Sequence, residues 1–207
     1  MELKPHYLVE IGGVADLASG APLPHWVSDS LNRAPYVVIR RHDKIEGYLP
    51  VGIRGTQRGH RFAAWLPCSQ TVRIVTPLSL TNPLNWKAVY FRQAPPAIRT
   101  LRLITCMMHQ TGYRWGPTGS AGFELATGVS SLTDASDLDL MIESPQAMGI
   151  RAAADLLLRL ESKALVRLDI QLSTPAGSVS LKEFVESDTI LVKTAAGPVL
   201  RRTQTLW

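Results

Sequence analysis

Ser136-Asp137-Leu138-Asp139-Leu140-Met141-Ile142 places two acids one residue apart in an alternating run, a short distance after Gly119-Ser120. Alternation with a period of two predicts a strand over residues 137–142. On it Asp137, Asp139 and Met141 share one face, and Leu138, Leu140 and Ile142 the other. Two carboxylates on one face repel each other unless a hard cation lies between them. Mg²⁺ suits that position, because it takes one or two carboxylates together with phosphate oxygens.

Downstream, Leu165-Val166-Arg167-Leu168-Asp169-Ile170-Gln171-Leu172 also alternates and sets Asp169 in the middle of a polar face. If the two strands are neighbours, three carboxylates converge, the usual protein share of a two-metal phosphoryl-transfer site. Gly119-Ser120 adds a turn that approaches phosphates closely, since glycine offers no side chain and the backbone N–H groups are free to donate.

The rest of the chain is read outward from this centre. Pro117–Gly128 is a glycine-rich turn followed by a short helix. Ala97–Gln110 has apolar residues at helical spacing, and Thr111-Gly112 ends it. Ser144-Pro145 is expected to open a helix running to about Ser162. Ser180-Leu181-Lys182-Glu183 has the capping-box pattern and predicts a helix over Leu181–Glu186. Thr189–Lys193 and Pro198–Arg202 read as strands. Before Ala94-Pro95-Pro96, taken as a linker, come a short helix over Val27–Asn32 and strands near Tyr36–Arg41, Tyr48–Gly55, Phe62–Leu66 and Val72–Val75. The expected class is therefore α/β (α+β), in two parts. Residues 1–94 form a small, mostly-β N-terminal domain, and residues 97–207 an α/β domain whose mixed sheet is flanked by helices.

The chain has 207 residues, 45% hydrophobic and 19% charged, which suits an ordinary globular protein with a real core. No run is long enough for a membrane span, and Met1–His6 lacks the layout of a signal peptide. Cys68 and Cys106 stand in unrelated contexts. Two buried free thiols in a reducing cytoplasm fit them better than one disulfide. A net charge of +5 favours an anionic partner. The basic residues are mostly scattered arginines with no nucleic-acid motif, which points to phosphate groups or an acidic protein rather than nucleic acid.

The order Gly-Ser turn, helix, Asp-x-Asp strand and acid on the next strand, from Ala97 to about Lys193, resembles the catalytic domain of the nucleotidyltransferase superfamily. The resemblance implies that Gly119 and Ser120 hold a triphosphate, and that Asp137, Asp139 and Asp169 hold Mg²⁺, with Mn²⁺ as a substitute. Sixteen residues separate Ser120 from Asp137, more than is usual there. The surplus falls in Gly128–Ala135, expected to be a loop.

A closer similarity is to the phosphoribosyl-dephospho-CoA transferase family of malonate decarboxylase systems, also called holo-[acyl-carrier-protein] synthases. It is carried by Gly119-Ser120-Ala121-Gly122-Phe123-Glu124-Leu125-Ala126-Thr127-Gly128, by Ser136–Leu140, and by Pro50-Val51-Gly52-Ile53-Arg54-Gly55 with Arg58. This similarity implies transfer of the prosthetic group from 2′-(5″-triphosphoribosyl)-3′-dephospho-CoA to a serine of the apo acyl-carrier subunit, with release of pyrophosphate. Asp169 would then share a metal or accept the serine proton. Arg114, Arg54, Arg58 and Lys193 are candidates for phosphate contacts, and Arg54, Arg58 and Arg61 equally for a solvated basic face. Glu124 reads as a helix-surface glutamate. Two other readings remain open: a nucleotidyltransferase using an ordinary nucleoside triphosphate, and a non-catalytic nucleotide- or nucleic-acid-binding module.

Overall fold

The computed structural model describes residues 3–43, 45–57, 59–88, 90 and 93–207. Arg58 lies outside the described residues. In chain order the elements are β1 (Leu8–Glu10), α1 (His25–Arg33), β2 (Tyr36–Ile39), β3 (Tyr48–Arg54), β4 (Arg61–Pro67) and β5 (Arg73–Val75). After these come α2 (Pro96–Gln110), β6 (Arg114–Pro117), α3 (Gly119–Thr127), β7 (Leu138–Glu143), α4 (Ile150–Glu161) and β8 (Leu168–Thr174). The last four are β9 (Gly177–Ser180), α5 (Leu181–Glu186), β10 (Thr189–Thr194) and β11 (Gly197–Arg202). The mixed α/β content expected from the sequence is present.

Two sheets result. The first is antiparallel, in the order β4-β3-β2-β1-β5. The second has the order β11-β10-β9-β8-β7-β6, and β7 with β8 is its parallel pair. A parallel neighbour needs a crossover, and α4 supplies it. Both sheets contribute to one apolar cluster, which holds Leu8, Tyr36 and Val75 of the first and Leu140, Ile142 and Leu172 of the second.

Local chemistry explains the element ends. Pro95 and Pro96 open α2 as its N-cap and first residue, where a missing N–H costs nothing. Helical spacing then buries Ile98, Leu101, Ile104 and Met108. Gly128 ends α3 at φ 76°. Ser180 caps α5 by accepting from the Glu183 N–H at 3.4 Å.

The expected helix start at Ser144-Pro145 is five residues early. Ser144 N–H still donates to Ser173 O at 2.8 Å, which extends the strand pairing, and its hydroxyl donates to Gln146 O at 2.8 Å. The chain therefore bends, and α4 begins at Ile150 with Gly149 as its N-cap. The cysteines also differ from expectation: Cys68 and Cys106 are free but exposed.

A polar cluster bolts the two sheets together. Arg41, just past β2, donates through Nη2 to Gln171 Oε1 at 3.2 Å and Ser178 Oγ at 2.7 Å, and lies 3.0 Å from His6 Nε2. Burial, the Arg41 charge and more weakly Lys193 push the His6 imidazole down to about 4, against a hydrogen bond to Gln171 that acts the other way. A neutral histidine in the fold that protonates when unfolded links stability to pH. Between the ordinary histidine range and about pH 4 the unfolded chain binds more protons, so stability should fall as pH drops through that window. His6 has a φ of 73°, which asparagine tolerates. Melting curves of His6→Asn across that window should therefore be flatter than those of the wild type. Parallel curves would show that another group carries the pH dependence.

Candidate functional site

The acids meet by register. In the parallel pair, Asp139 of β7 lies directly beside Asp169 of β8. Leu138, Leu140 and Ile142 point into the core, so Asp139 is turned to the opposite face, the one that looks across at the first sheet. Asp137 precedes β7 and is exposed; the Leu138 N–H donates to Arg167 O at 2.9 Å beside it.

A cavity of about 680 Å³ opens between the sheets over these acids. Its floor carries Asp139, Asp169 and Gln171, and Thr118, Gly119 and Gly122 form one wall. The first sheet supplies Arg40, Arg54, Arg61 and Phe62. Arg54 and Arg61 are register partners at the end of the β3–β4 hairpin. Two guanidinium groups thus face a pair of carboxylates across a space suited to a ligand of nucleotide size.

Gly119 explains why the turn must be glycine. Its φ is +56°, and a Cβ built there would lie 1.9 Å from Asp139 Oδ2. The turn backbone rests directly against the carboxylate. Behind it α3 starts without a side-chain cap, so its first N–H groups have no intrahelical acceptor. A helix N-terminus with open donors is an anion site when it lines a cavity, as this one does.

Electrostatics agree with this geometry. Burial, and then the Asp169 and Asp137 charges, push the Asp139 carboxyl above its usual range, while Arg54 and Arg61 pull it back. The repulsion among the acids is what a cation would relieve. Among the described residues no three His, Cys, Asp or Glu side chains come together closely enough to hold a metal ion by themselves. An all-oxygen donor set of two facing carboxylates still fits Mg²⁺, which completes its shell with water and phosphate oxygens.

The other expected site residues are placed differently. Arg114 shares the sheet face of Asp139 but lies at the far end of β7, where its Nε pairs with Glu143 at 3.3 Å. Four strand residues separate that position from Asp139, roughly 13 Å. Lys193 is exposed on β10 and pairs in register with Ser178, in the row of Ser173 and Glu143 rather than that of the acids. Ser120 is half-buried at the start of α3, and its carbonyl accepts from the Ser131 hydroxyl at 2.9 Å.

Sequence reasoning missed Arg40, whose partners are set by sheet pairing and leave no local pattern. It also misread Glu124. That side chain is 5% exposed. Its Oε2 accepts from the Ser131 and Leu132 N–H groups, both at 2.7 Å, and its Oε1 from the Tyr90 hydroxyl at 2.7 Å. Burial and the adjacent carboxylate push the Tyr90 hydroxyl up. Glu124 therefore fixes the long segment that delivers Asp137 and Asp139. Glu124→Ala would leave these buried donors unsatisfied and should cost about 3 kcal/mol, read as a fall in denaturation midpoint. An unchanged midpoint would mean that the segment is held by other contacts.

Two family models match successive parts of the chain. The family described as phosphoribosyl-dephospho-CoA transferase MdcG, C-terminal domain, matches residues 80–204, and its N-terminal domain matches residues 4–77. A phosphoribosyl-dephospho-CoA transferase of Pseudomonas putida (strain GB-1) is 38% identical over 95% of this chain and 92% of its own length. Those of Azotobacter vinelandii and Klebsiella pneumoniae (strain 342) are 37% and 35% identical, over 94% and 99% of this chain and 90% and 96% of theirs. No solved structure gives a match. No helix among the described residues is long and apolar enough to cross a membrane.

Proposed function

Since the chain belongs to the phosphoribosyl-dephospho-CoA transferase family and is a transferase of that group, we propose that its acceptor is a serine of the apo acyl-carrier subunit of malonate decarboxylase. The donor in this reading is 2′-(5″-triphosphoribosyl)-3′-dephospho-CoA, and the setting is the cytoplasm. Residues 97–207 act as the catalytic part, and residues 1–94 as the part that binds donor and carrier. The observation that carries the reading is the Asp139–Asp169 pair on the cavity floor, opposite Arg54 and Arg61 and against the Gly119 turn.

The serine Oγ attacks the α-phosphorus of the triphosphate. A phosphodiester bond forms, the bond from the α-phosphorus to the bridging oxygen breaks, and pyrophosphate leaves with the electron pair. In this reading Asp169 takes the serine proton or shares the metal. The N–H groups at the start of α3 and the Ser120 hydroxyl hold the outer phosphates. Arg54, Arg61 and Arg58 offset charge on the leaving group. Asp139 and Asp169, the two facing carboxylates, would hold Mg²⁺ or Mn²⁺, which when bound neutralises the developing charge and aligns the attack.

Intact mass of the apo carrier subunit tests this. Incubation with the protein, Mg²⁺ and the triphosphorylated donor should add the prosthetic group less pyrophosphate, and an EDTA control should add nothing. An unmodified carrier would remove this acceptor; full transfer in EDTA would remove the metal. Arg54→Ala lies at an exposed strand end, so the fold should be kept. The donor KM should rise about tenfold, as for the loss of a charge-assisted contact. An unchanged KM would return Arg54 to the solvated basic face.

A further inference from the structure

A second opening begins where the first cavity ends. It is a groove of about 1130 Å³ between the far ends of the two sheets, bounded by β2 and β3 on one side and by the β8–β9 turn and β10 on the other. Arg40 lines both spaces. The outward face of β8 runs from one to the other. Asp169 and Gln171 stand in the first cavity, Gln171 and Ser173 border a narrow neck, and Ser173 lines the groove.

The groove is equipped for an anion attached to an apolar chain. Arg40, Arg41 and Lys193 border it. Among the described residues Arg41 has no carboxylate partner; its guanidinium donates to the neutral Gln171 and Ser178, and its charge is left to the groove. The apolar wall includes Ile39, Ile45 and Leu49, and Ile45 and Tyr48 are exposed there. Gly52 provides room for the junction. A Cβ there would meet Arg40 Cδ at 3.1 Å and Cγ at 3.3 Å, so the arginine side chain lies across the strand between the two spaces.

We propose that this groove is a second substrate subsite, which takes the diphosphate and pantetheine arm of the dephospho-CoA moiety while the triphosphate end reacts in the first cavity. The proposal rests on the transferase reading above. Arg40, Arg41 and Lys193 hold the diphosphate, and the wall of Ile39, Ile45 and Leu49 carries the arm. The spacing supports the assignment. The reacting phosphorus is separated from the diphosphate by two ribose rings, about twelve bonds, or roughly 10–13 Å with the rings bent. Along β8, Asp169 and Ser173 are four residues apart, roughly 13 Å. Lys193, which lies too far from the acids to touch the triphosphate, has its place at the other end of the same donor.

Calorimetric binding of dephospho-CoA to the full chain tests the subsite, with inorganic triphosphate plus Mg²⁺ as the probe of the acid end. Lys193→Glu and Arg41→Gln should each weaken dephospho-CoA by at least about tenfold and leave triphosphate within about twofold. Lys193 is exposed on its strand, so its variant keeps the test valid if Arg41→Gln loosens the contact between the sheets. ADP should bind more weakly than dephospho-CoA, because it lacks the arm. Equal binding of dephospho-CoA by wild type and both variants overturns the subsite, as does ADP binding as tightly as dephospho-CoA. Carrier modification by the wild type, followed in parallel, separates the two readings. Transfer without sensitivity at Lys193 and Arg41 removes the groove and leaves the reaction. Sensitivity without transfer removes the acceptor reaction and leaves the groove.

Discussion

If Asp139 holds the metal as proposed, an Asp139→Asn enzyme is expected to fold and yet to transfer the prosthetic group at least about a thousandfold more slowly, the several kcal/mol such a carboxylate contributes to phosphoryl transfer. The substitution is nearly isosteric, so the register with Asp169 and the contact with Gly119 should persist. What is lost is the charge. Its effect on stability has the opposite sign. Burial, Asp169 and Asp137 raise the Asp139 carboxyl above its unfolded value, so its ionisation costs the folded state free energy at neutral pH. That cost fades as pH falls through the raised folded value. Asp139→Asn should therefore melt at or above the wild-type temperature at neutral pH, and the difference should shrink on acidification. Intact-mass rates and melting curves on one preparation check both halves. More than about a tenth of the wild-type rate in the variant would remove Asp139 from the centre of the reaction.

Gly119→Ala should be nearly as damaging for a different reason. The left-handed backbone at φ +56° costs any L side chain about 1–2 kcal/mol. The methyl group would also overlap Asp139 Oδ2, which lies 1.9 Å from its ideal position, so the carboxylate must swing or the start of α3 must move. A displacement of about 1 Å at a reacting centre costs about a hundredfold in rate. The expected result is that loss in kcat with a modest fall in melting temperature. Gly149→Ala is the control: nothing lies within 4 Å of its Cβ and its φ is −67°, so the rate should hold, with only the small loss of stability that alanine brings at the α4 N-cap. Wild-type turnover by Gly119→Ala would show that the turn and the carboxylate do not work at this contact.

Much of this was legible before the fold was known. Alternation marked β7 and β8, proline and glycine marked α2 and α3, and a capping serine marked α5, because each signal is local. Asp139 and Asp169 could be named, and their meeting followed once the two strands paired in parallel. The cleft's other wall was harder to read. Arg40 enters the site through the pairing of β2 with β3, and Arg41 meets Gln171 across 130 residues. Nothing near either arginine announces the partner. Glu124 was misjudged because the N–H groups that donate to it lie in an irregular segment, where no periodicity shows which helix face is covered. β1 and β9 were not named as strands.

The single parallel pair also sets the order of events in folding. β8 meets β9, and β10 meets β11, across short turns, whereas β7 cannot meet β8 until the intervening helix has formed and swung across. Contacts that close long stretches of chain are slow, because the entropy of closure is spent before any contact repays it. The two acids are joined by that closure, and the arginines opposite them by a longer one. In refolding, circular dichroism should recover ahead of transferase activity, and the lag between them times the birth of the cleft.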